Sequence, residues 1–528
     1  MVSLSSWASS TDELHRMGVR LPSEQSLKAK SLGTVQPRWI HVGGGNLYRS
    51  LHAQVAQDLI DANELDRGIV VAQTRNPVTV DRLYRINNCD ILQVLMQRDG
   101  TLNQRILSST AHAVFAHPDA PEAWELMRSY FRSNILQLVT FTITEKGYFV
   151  SKEDVAAGPT SPRGCIPAIC SLMLTRFCAG AAPLALVSTD NFSRNGARLR
   201  NAILHVADTW IKRGFTTEEF YNYLSDENRV SFPYTMIDRI TPNPSSMVEA
   251  ALIRSGWSDL GFCTDGTSQF AAFVNAEPTF HLIIEDRFPN GRPAFEHAGV
   301  IMTNRETAEL CDTIKVTCCL NPLHTALAIF GCLLGYKTIA DAIRDPALVT
   351  LAHRIAYDES LPVVSHPNVL DPNQFIRQLL NERLPNAYLP DTPQRIATDT
   401  SQKMSIRFGQ TILRHVEAPR CDASSLTAIP LVIAGWLRYL IGIDDLGRPF
   451  TPSPDPLLDE LKNKLARLNL GCDSSELVHE SVAPILRDKR IFGVNLHEVG
   501  LDTRIEADLV QMLARPGAVA HTLESLSR

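Results

Sequence analysis

Apolar residues follow two different rhythms along this chain. Up to about residue 300, short apolar runs alternate with amphipathic stretches: WIHV at Trp39–Val42, GIVVAQTR from Gly68 to Arg75, LQLVTFTIT within Ile135–Thr144, and PLALVS from Pro183 to Ser188. Continuous apolar runs separated by helical periodicity predict strands buried on both faces, hence an α/β region with a mostly parallel sheet. Two more strand-like runs and a turn at Pro289–Gly291 follow in AAFVNAEPTFHLIIEDRFPNGRPAFE. Beyond that point the spacing is helical almost throughout, as in TIADAIRDPALVTLAHRIAYDE, LTAIPLVIAGWLRYLIG and DPLLDELKNKLARL. The pattern predicts two domains, an α/β domain over residues 1–300 and a mostly α-helical domain over residues 301–528. Length agrees, because one core rarely grows past roughly 250–300 residues.

Composition narrows the chemistry. A formal charge of −6 gives no basic field for nucleic acid or anionic lipid, which leaves small-molecule chemistry as the expectation. The first residues, MVSLSSWASSTDELHRMGVRLP, lack the basic start and apolar run of a secretory signal. With no apolar segment read as long enough to span a membrane, a cytoplasmic protein is expected. The cysteines include no Cys-x-x-Cys pair; Cys311, Cys318, Cys319 and Cys332 sit in apolar helical sequence and read as reduced, buried side chains.

Polar clusters end the predicted strands, where ligands of open α/β sheets gather. After Trp39–Val42 come Gly43, Gly44 and Gly45, then Asn46, Leu47 and an amphipathic helix. Such a turn lets the backbone approach a pyrophosphate at a helix N-terminus, although Tyr48 stands where the third glycine of the Gly-x-Gly-x-x-Gly pattern would be, and a plain tight turn has the same sequence. The second strand ends in Gln73, Thr74 and Arg75, with no acidic residue for the ribose hydroxyls of NAD; Arg75 is either a solvated loop residue or a partner for the 2′-phosphate of NADP. TEKGY and TDNFSRNG end the next two strands. There Glu145 either faces a bound nicotinamide or balances Lys146, and Asn191 either donates to a substrate oxygen or caps the helix starting near Gly196. Asp238 and Arg239 interrupt apolar sequence, as a structural ion pair or with Asp238 accepting from substrate hydroxyls.

The helical part opens on KVTCCLNPLHTALAIFGCLLGY. Interconverting an alcohol and a ketone needs a group that trades the hydroxyl proton, donors for the developing oxyanion and a group that orients the substrate; Lys315, Asn321 and His324 are candidates, against a surface lysine and a core histidine. Farther on, Arg395 and Lys403 flank a polar turn, as a clamp for a carboxylate or phosphate or as a solvated basic face.

Seven blocks in one order, GGGNLYR, TITEKGY, STDNFSRNG, YTMIDRITP, IIEDRFPNGRP, LNPLH and RIATDTSQK, resemble the polyol-specific long-chain dehydrogenase/reductase family of mannitol dehydrogenases and fructuronate and tagaturonate reductases. The resemblance covers most of the chain. It implies an N-terminal Rossmann-type domain, a helical second domain, and metal-independent hydride transfer with NAD, or NADP, in a monomer or small homo-oligomer. It implies Lys315 as catalytic lysine, Asn191 and Asn321 as alkoxide-stabilising pair, and His324 as orienting histidine. Asp238, Arg395 and Lys403 would line the substrate pocket, and Gly43, Gly45, Asn46, Leu47, Arg75, Glu145 and Asn191 the cofactor site. The run ERLPNAYLPDTPQRIATDTSQK is closer to the fructuronate reductases, so D-fructuronate and D-mannonate are the expected pair, with a mannitol 2-dehydrogenase acting on a neutral polyol as the alternative. A non-catalytic nucleotide-binding module is the other alternative; a zinc alcohol dehydrogenase would need a ligand cluster that the Cys/His pattern does not offer.

One departure stands out. Many members place the lysine five residues before the asparagine, whereas Lys315 precedes Asn321 by six, with Val316 at the usual place. On a regular helix the extra residue rotates the lysine by about 100°, so either a local bulge restores the geometry or Lys315 is not the catalytic group.

Overall fold

Strands that are apolar along their whole length must be covered on both sides, and the computed structural model, which describes residues 1–266, 268–389, 391–418 and 421–526, shows that arrangement. The chain divides into Met1–Asp312 and Thr313–Arg528.

The first unit is built on a six-stranded sheet. Its strands are β1 (Trp39–Val42), β2 (Ile69–Gln73), β3 (Thr110–Phe115), β4 (Leu138–Phe141), β5 (Leu184–Ser188) and β6 (Val230–Ser231), in the spatial order β3-β2-β1-β4-β5-β6, every neighbouring pair parallel. This is the doubly wound order, with its reversal between β1 and β4. Alternate residues serve two cores. Ile40, Val42, Val70, Ala72, Val139, Phe141, Leu184 and Leu186 pack with helices Pro121–Arg132, Cys165–Cys178 and Asn195–Lys212. Trp39, Ile69, Val71, Leu138, Ala185 and Val187 face the opposite layer, which includes Ala53–Asp61. Smaller sheets join Ile91–Met96 to Leu102–Leu107 and Phe273–Ala276, and His281–Glu285 to Thr235–Asp238 and Ile301–Thr303. The strands between residues 91 and 107 were not legible as a separate sheet.

The second unit is helical; its described residues form a single isolated β-bridge, Ile443 with Pro449, and no strand. Leu320–Leu334 packs against Ala428–Leu440, which packs in turn on Asp502–Leu513. The Glu359 carboxylate accepts from the amides of Thr427, Ala428 and Ile429 at 2.5–2.7 Å, closing the buried start of Ala428–Leu440.

The reading that no apolar segment is long enough for a membrane needs correction. The helix Arg305–Leu334 has 30 residues and contains an 18-residue window with a mean hydropathy of 1.5, enough by length and composition to cross a bilayer, but 78% of that window is buried inside the protein. Its hydrophobicity is that of a core helix. None of the eleven cysteines is joined in a disulfide, and Cys311, Cys318, Cys319 and Cys332 are buried.

Candidate active site

In the first unit the expected cofactor residues stand at the carboxyl ends of β1, β2, β4 and β5. Gly43 has φ +105°, donates to the Ala72 carbonyl at 2.9 Å, and lies so close to β4 that a Cβ would be 2.1 Å from the Thr142 carbonyl oxygen. Its own carbonyl is fixed by the Thr142 hydroxyl at 2.8 Å and faces His41 Nε2 at 3.1 Å, while the Tyr84 hydroxyl donates to the Gly44 carbonyl at 2.7 Å. A Cβ on Gly45, by contrast, would meet nothing nearer than Phe270 at 4.0 Å. Tyr48, at the position of the missing third glycine, is wholly buried with its hydroxyl 2.8 Å from Thr110 Oγ1, and the helix is wound as a π-helix over Tyr48–His52 where this ring is accommodated.

Leu47 is half-buried and Arg75 exposed. Asn46 donates to the Gln269 carbonyl at 3.4 Å, but its buried side-chain oxygen has no hydrogen-bond partner among the described residues. A lone buried acceptor beside a glycine turn at the sheet's reversal point fits a dinucleotide, whose ribose and carboxamide groups supply donors.

Two sequence alternatives resolve structurally. Arg194, in the left-handed conformation, occupies the N-cap of Asn195–Lys212, so the capping role weighed for Asn191 does not hold; Asn191 is exposed just beyond β5. Glu145 pairs with Arg198, not with Lys146. Between these strand ends, Thr144 is held at φ 61° and ψ 163°, a conformation costly for a β-branched residue. The buried Asp190 carboxylate fixes it, accepting from the amides of Ile143 at 3.0 Å and Thr144 at 2.9 Å and from the Tyr148 hydroxyl at 2.7 Å. Burial pushes the Asp190 carboxyl above its usual range. Asp238 is buried at the end of its strand, and Arg239 donates to Ser50 O, Gln54 Oε1 and Glu277 O.

Beneath the glycine turn lie two buried imidazoles, His41 and His52, with centroids 4.5 Å apart. His41 joins Thr140 and Thr142, at 2.6 and 2.8 Å, and His52 Nε2 is 2.9 Å from Thr189 Oγ1. Burial lowers both pKa values, that of His52 to about 3. Both rings are therefore neutral in the folded protein at neutral pH, whereas unfolded histidines titrate near 6.5. The unfolded chain binds the extra protons, so the stability gained from holding each ring neutral is intact above pH ~6.5 and declines by roughly 1.4 kcal/mol per pH unit below it for each ring, down to the folded pKa. Thermal melting from pH 7 to 5 is expected to show a steep fall in Tm that His52→Gln makes shallower. An unchanged slope would rule the ring out as a source.

In the second unit, Lys315 is buried and is the first residue of a π-helix, Lys315–Cys319, whose closing bond runs from the Leu320 amide to the Lys315 carbonyl. The backbone also departs from helix at Cys319, φ −100° and ψ −88°, before Leu320–Leu334 begins. An i→i+5 turn holds one residue more than an α-helical turn, so the extra residue in the interval from Lys315 to Asn321 lies within the bulge. Asn321 and His324 follow in the first turn of Leu320–Leu334. His324 Nε2 lies 3.5 Å from Asp391 Oδ2, and the other oxygen of Asp391 pairs with Arg395. Lys403 donates to the Thr398 carbonyl; burial chiefly, then the nearby Arg407 charge, lowers its pKa. Asp391 thus joins two expected site residues, His324 and Arg395; sequence reading had not singled it out, because nothing local marks a carboxylate whose partner is so distant in sequence. Among the described residues no group of three or more His, Cys, Asp or Glu side chains is placed to hold a metal ion.

A doubly wound domain with a glycine turn at its reversal point is a Rossmann-type nucleotide-binding domain, and a helical unit bearing Lys315, Asn321 and His324 follows it. The chain belongs to the mannitol dehydrogenase family: the family's Rossmann domain matches residues 37–297 and its C-terminal domain residues 313–513. It is 43% identical over 524 residues, 97% of this chain and 96% of the relative, to a D-mannonate oxidoreductase of Thermotoga maritima. It is 27% identical to a mannitol 2-dehydrogenase of Pyrenophora tritici-repentis, over 91% of this chain and 80% of that one. In fold it matches Pseudomonas fluorescens mannitol 2-dehydrogenase, solved with NAD and D-mannitol, with a TM-score of 0.69 at 24% identity over 97% of both chains. The protein is accordingly an oxidoreductase acting on a CH–OH group.

Proposed function

We propose that this enzyme interconverts D-fructuronate and D-mannonate with NAD as cofactor. The observation that carries the reading is the likeness, along nearly the whole chain, to a D-mannonate oxidoreductase. The cations Arg395 and Lys403 support an anionic substrate over a neutral polyol.

When bound, the nicotinamide accepts or supplies the hydride. In the direction of oxidation Lys315 Nζ takes the proton of the substrate hydroxyl; in reduction it returns it. Asn321 and Asn191 donate amide hydrogens to the substrate oxygen as charge develops there. His324, steadied by Asp391, orients the substrate, and Asp238, Arg395 and Lys403 hold its remaining hydroxyl and carboxylate groups. The turn of Gly43 and Gly45, with Asn46, Leu47, Arg75, Glu145 and Asn191, receives the dinucleotide. The α/β and helical domains are assigned to residues 1–300 and 301–528. In this reading the enzyme acts in the cytoplasm, as a monomer or small homo-oligomer, on a small molecule, with no nucleic-acid or membrane partner.

A panel of hexuronates, aldonates and neutral polyols, assayed with NAD and NADP by the absorbance of the reduced nicotinamide, tests the assignment. D-fructuronate with NADH is expected to exceed D-fructose in kcat/KM by roughly 100-fold or more, the cost of leaving a carboxylate site unpaired. Preference for D-fructose and D-mannitol would make the protein a polyol dehydrogenase instead.

A further inference from the structure

One half-buried cation of the second unit, Arg407, makes no ion pair among the described residues. Arg407 lies in the π-helical Ser405–Gly409, continued by Gln410–Glu417, and its amide bonds back to the Lys403 carbonyl at 2.9 Å. These helices lie along the segment that begins at Lys315: the Thr411 hydroxyl donates to the Thr317 carbonyl at 3.2 Å, and Arg414 reaches Thr317 Oγ1 at 3.5 Å. Arg407 Nη1 donates to Thr325 Oγ1, and Thr325 in turn donates to the Asn321 carbonyl at 2.8 Å. The guanidinium is therefore anchored one helical turn past Asn321, on the residue next to His324.

Several buried arginines are better supplied with partners. Arg176 meets five backbone carbonyls, Arg438 three, and Arg105 is paired with Asp58 and Asp61. For Arg407 the Thr325 hydroxyl is the only hydrogen-bond partner among the described residues, and no described carboxylate is within ion-pair distance. Burial pushes its pKa down to about 10 without an acidic group to offset it. Lys403, one turn earlier, feels both Arg407 and Arg395 as like charges, offset in part by Asp399 and Asp455; Asp391 is held by Arg395, and Asp455 also by the Ser401 amide and hydroxyl. Arg407 and Lys403 are half-buried like charges, neither of them in an ion pair among the described residues, so a bound anion would relieve their repulsion.

We propose that Arg407, with Lys403, is the carboxylate-binding element of the substrate site and sets its preference for sugar acids over neutral sugars. The inference rests on the function proposed above. A guanidinium fork suits a carboxylate because it offers two parallel N–H donors, and Thr325 fixes one end of that fork relative to Asn321.

The test compares wild type, Arg407→Met and Arg407→Lys as full-length enzymes with D-fructuronate and with D-fructose. Arg407→Met is expected to raise the KM for D-fructuronate roughly 100-fold, with kcat changed less than about fivefold; NADH affinity, read by fluorescence titration, and kcat/KM for D-fructose should stay as in wild type. Arg407→Lys, which keeps the charge but loses the fork, should fall between, and decides on the same comparison if the methionine variant does not fold. Equal losses for both substrates, or no loss for either, would overturn the assignment. Absence of wild-type turnover with any sugar acid would instead overturn the functional reading beneath it.

Discussion

Replacing Lys315 by methionine is expected to lower kcat for D-fructuronate by roughly 10³–10⁴-fold while the affinity for NADH stays within about threefold of wild type. The asymmetry follows from where the residue lies. Lys315 belongs to the helical unit and opens the π-helix before Asn321, whereas the glycine turn and Asn46 belong to the other unit. Removing the amine takes away the group proposed to trade the carbinol proton, without touching the groups assigned to the dinucleotide. Methionine keeps the length and apolar body of the side chain, so the buried position is refilled rather than emptied. Fluorescence titration with NADH beside steady-state kinetics separates the effects; a variant with near-wild-type kcat would remove Lys315 from the chemistry.

The second large effect is expected at Gly43. Its Cβ would lie 2.1 Å from the Thr142 carbonyl oxygen and 3.1 Å from Thr142 Oγ1, and its φ of +105° is outside the range open to side-chain-bearing residues. Alanine must therefore push β1 and β4 apart or turn the Gly43 carbonyl away from His41 and Thr142. Either change disturbs the point where the sheet reverses. A loss of about 3 kcal/mol or more of stability, or of a comparable factor in NADH affinity, is expected for Gly43→Ala. Gly45→Ala is the matched control, since its Cβ meets open space, and its Tm should remain near that of wild type. Thermal melting and NADH titration of both variants check the contrast; equal behaviour would mean that the close approach of Gly43 to Thr142 carries no weight.

Much of this arrangement was legible because its signals are local. Trp39–Val42 was read to the residue, since an apolar run stopped by three glycines leaves little freedom. The strand ends at TITEKGY and STDNFSRNG were equally plain. What escaped depends on contacts distant in the chain: the union of His324 and Arg395 by Asp391, the anchoring of Arg407 on Thr325, and the clamp of Asp190 on the amides of Ile143 and Thr144. The six-residue interval between Lys315 and Asn321 posed a choice between a bulge and a misassigned lysine. A π turn begins at the lysine itself and takes up the extra residue of that interval, while the catalytic role of Lys315 is the proposal that its methionine variant tests. The long helix Arg305–Leu334 was misread for a related reason, because its interior Lys315 and Asn321 hide how apolar the whole run is.

The most direct measurement of the central claim is isotope transfer. The enzyme is given D-fructuronate and NADH carrying deuterium at the transferring position, and the product is examined by mass spectrometry and NMR. Direct hydride chemistry predicts D-mannonate with one deuterium on the carbinol carbon formed from the ketone, retained in full against solvent. Unlabelled product, or no D-mannonate at all, would contradict it.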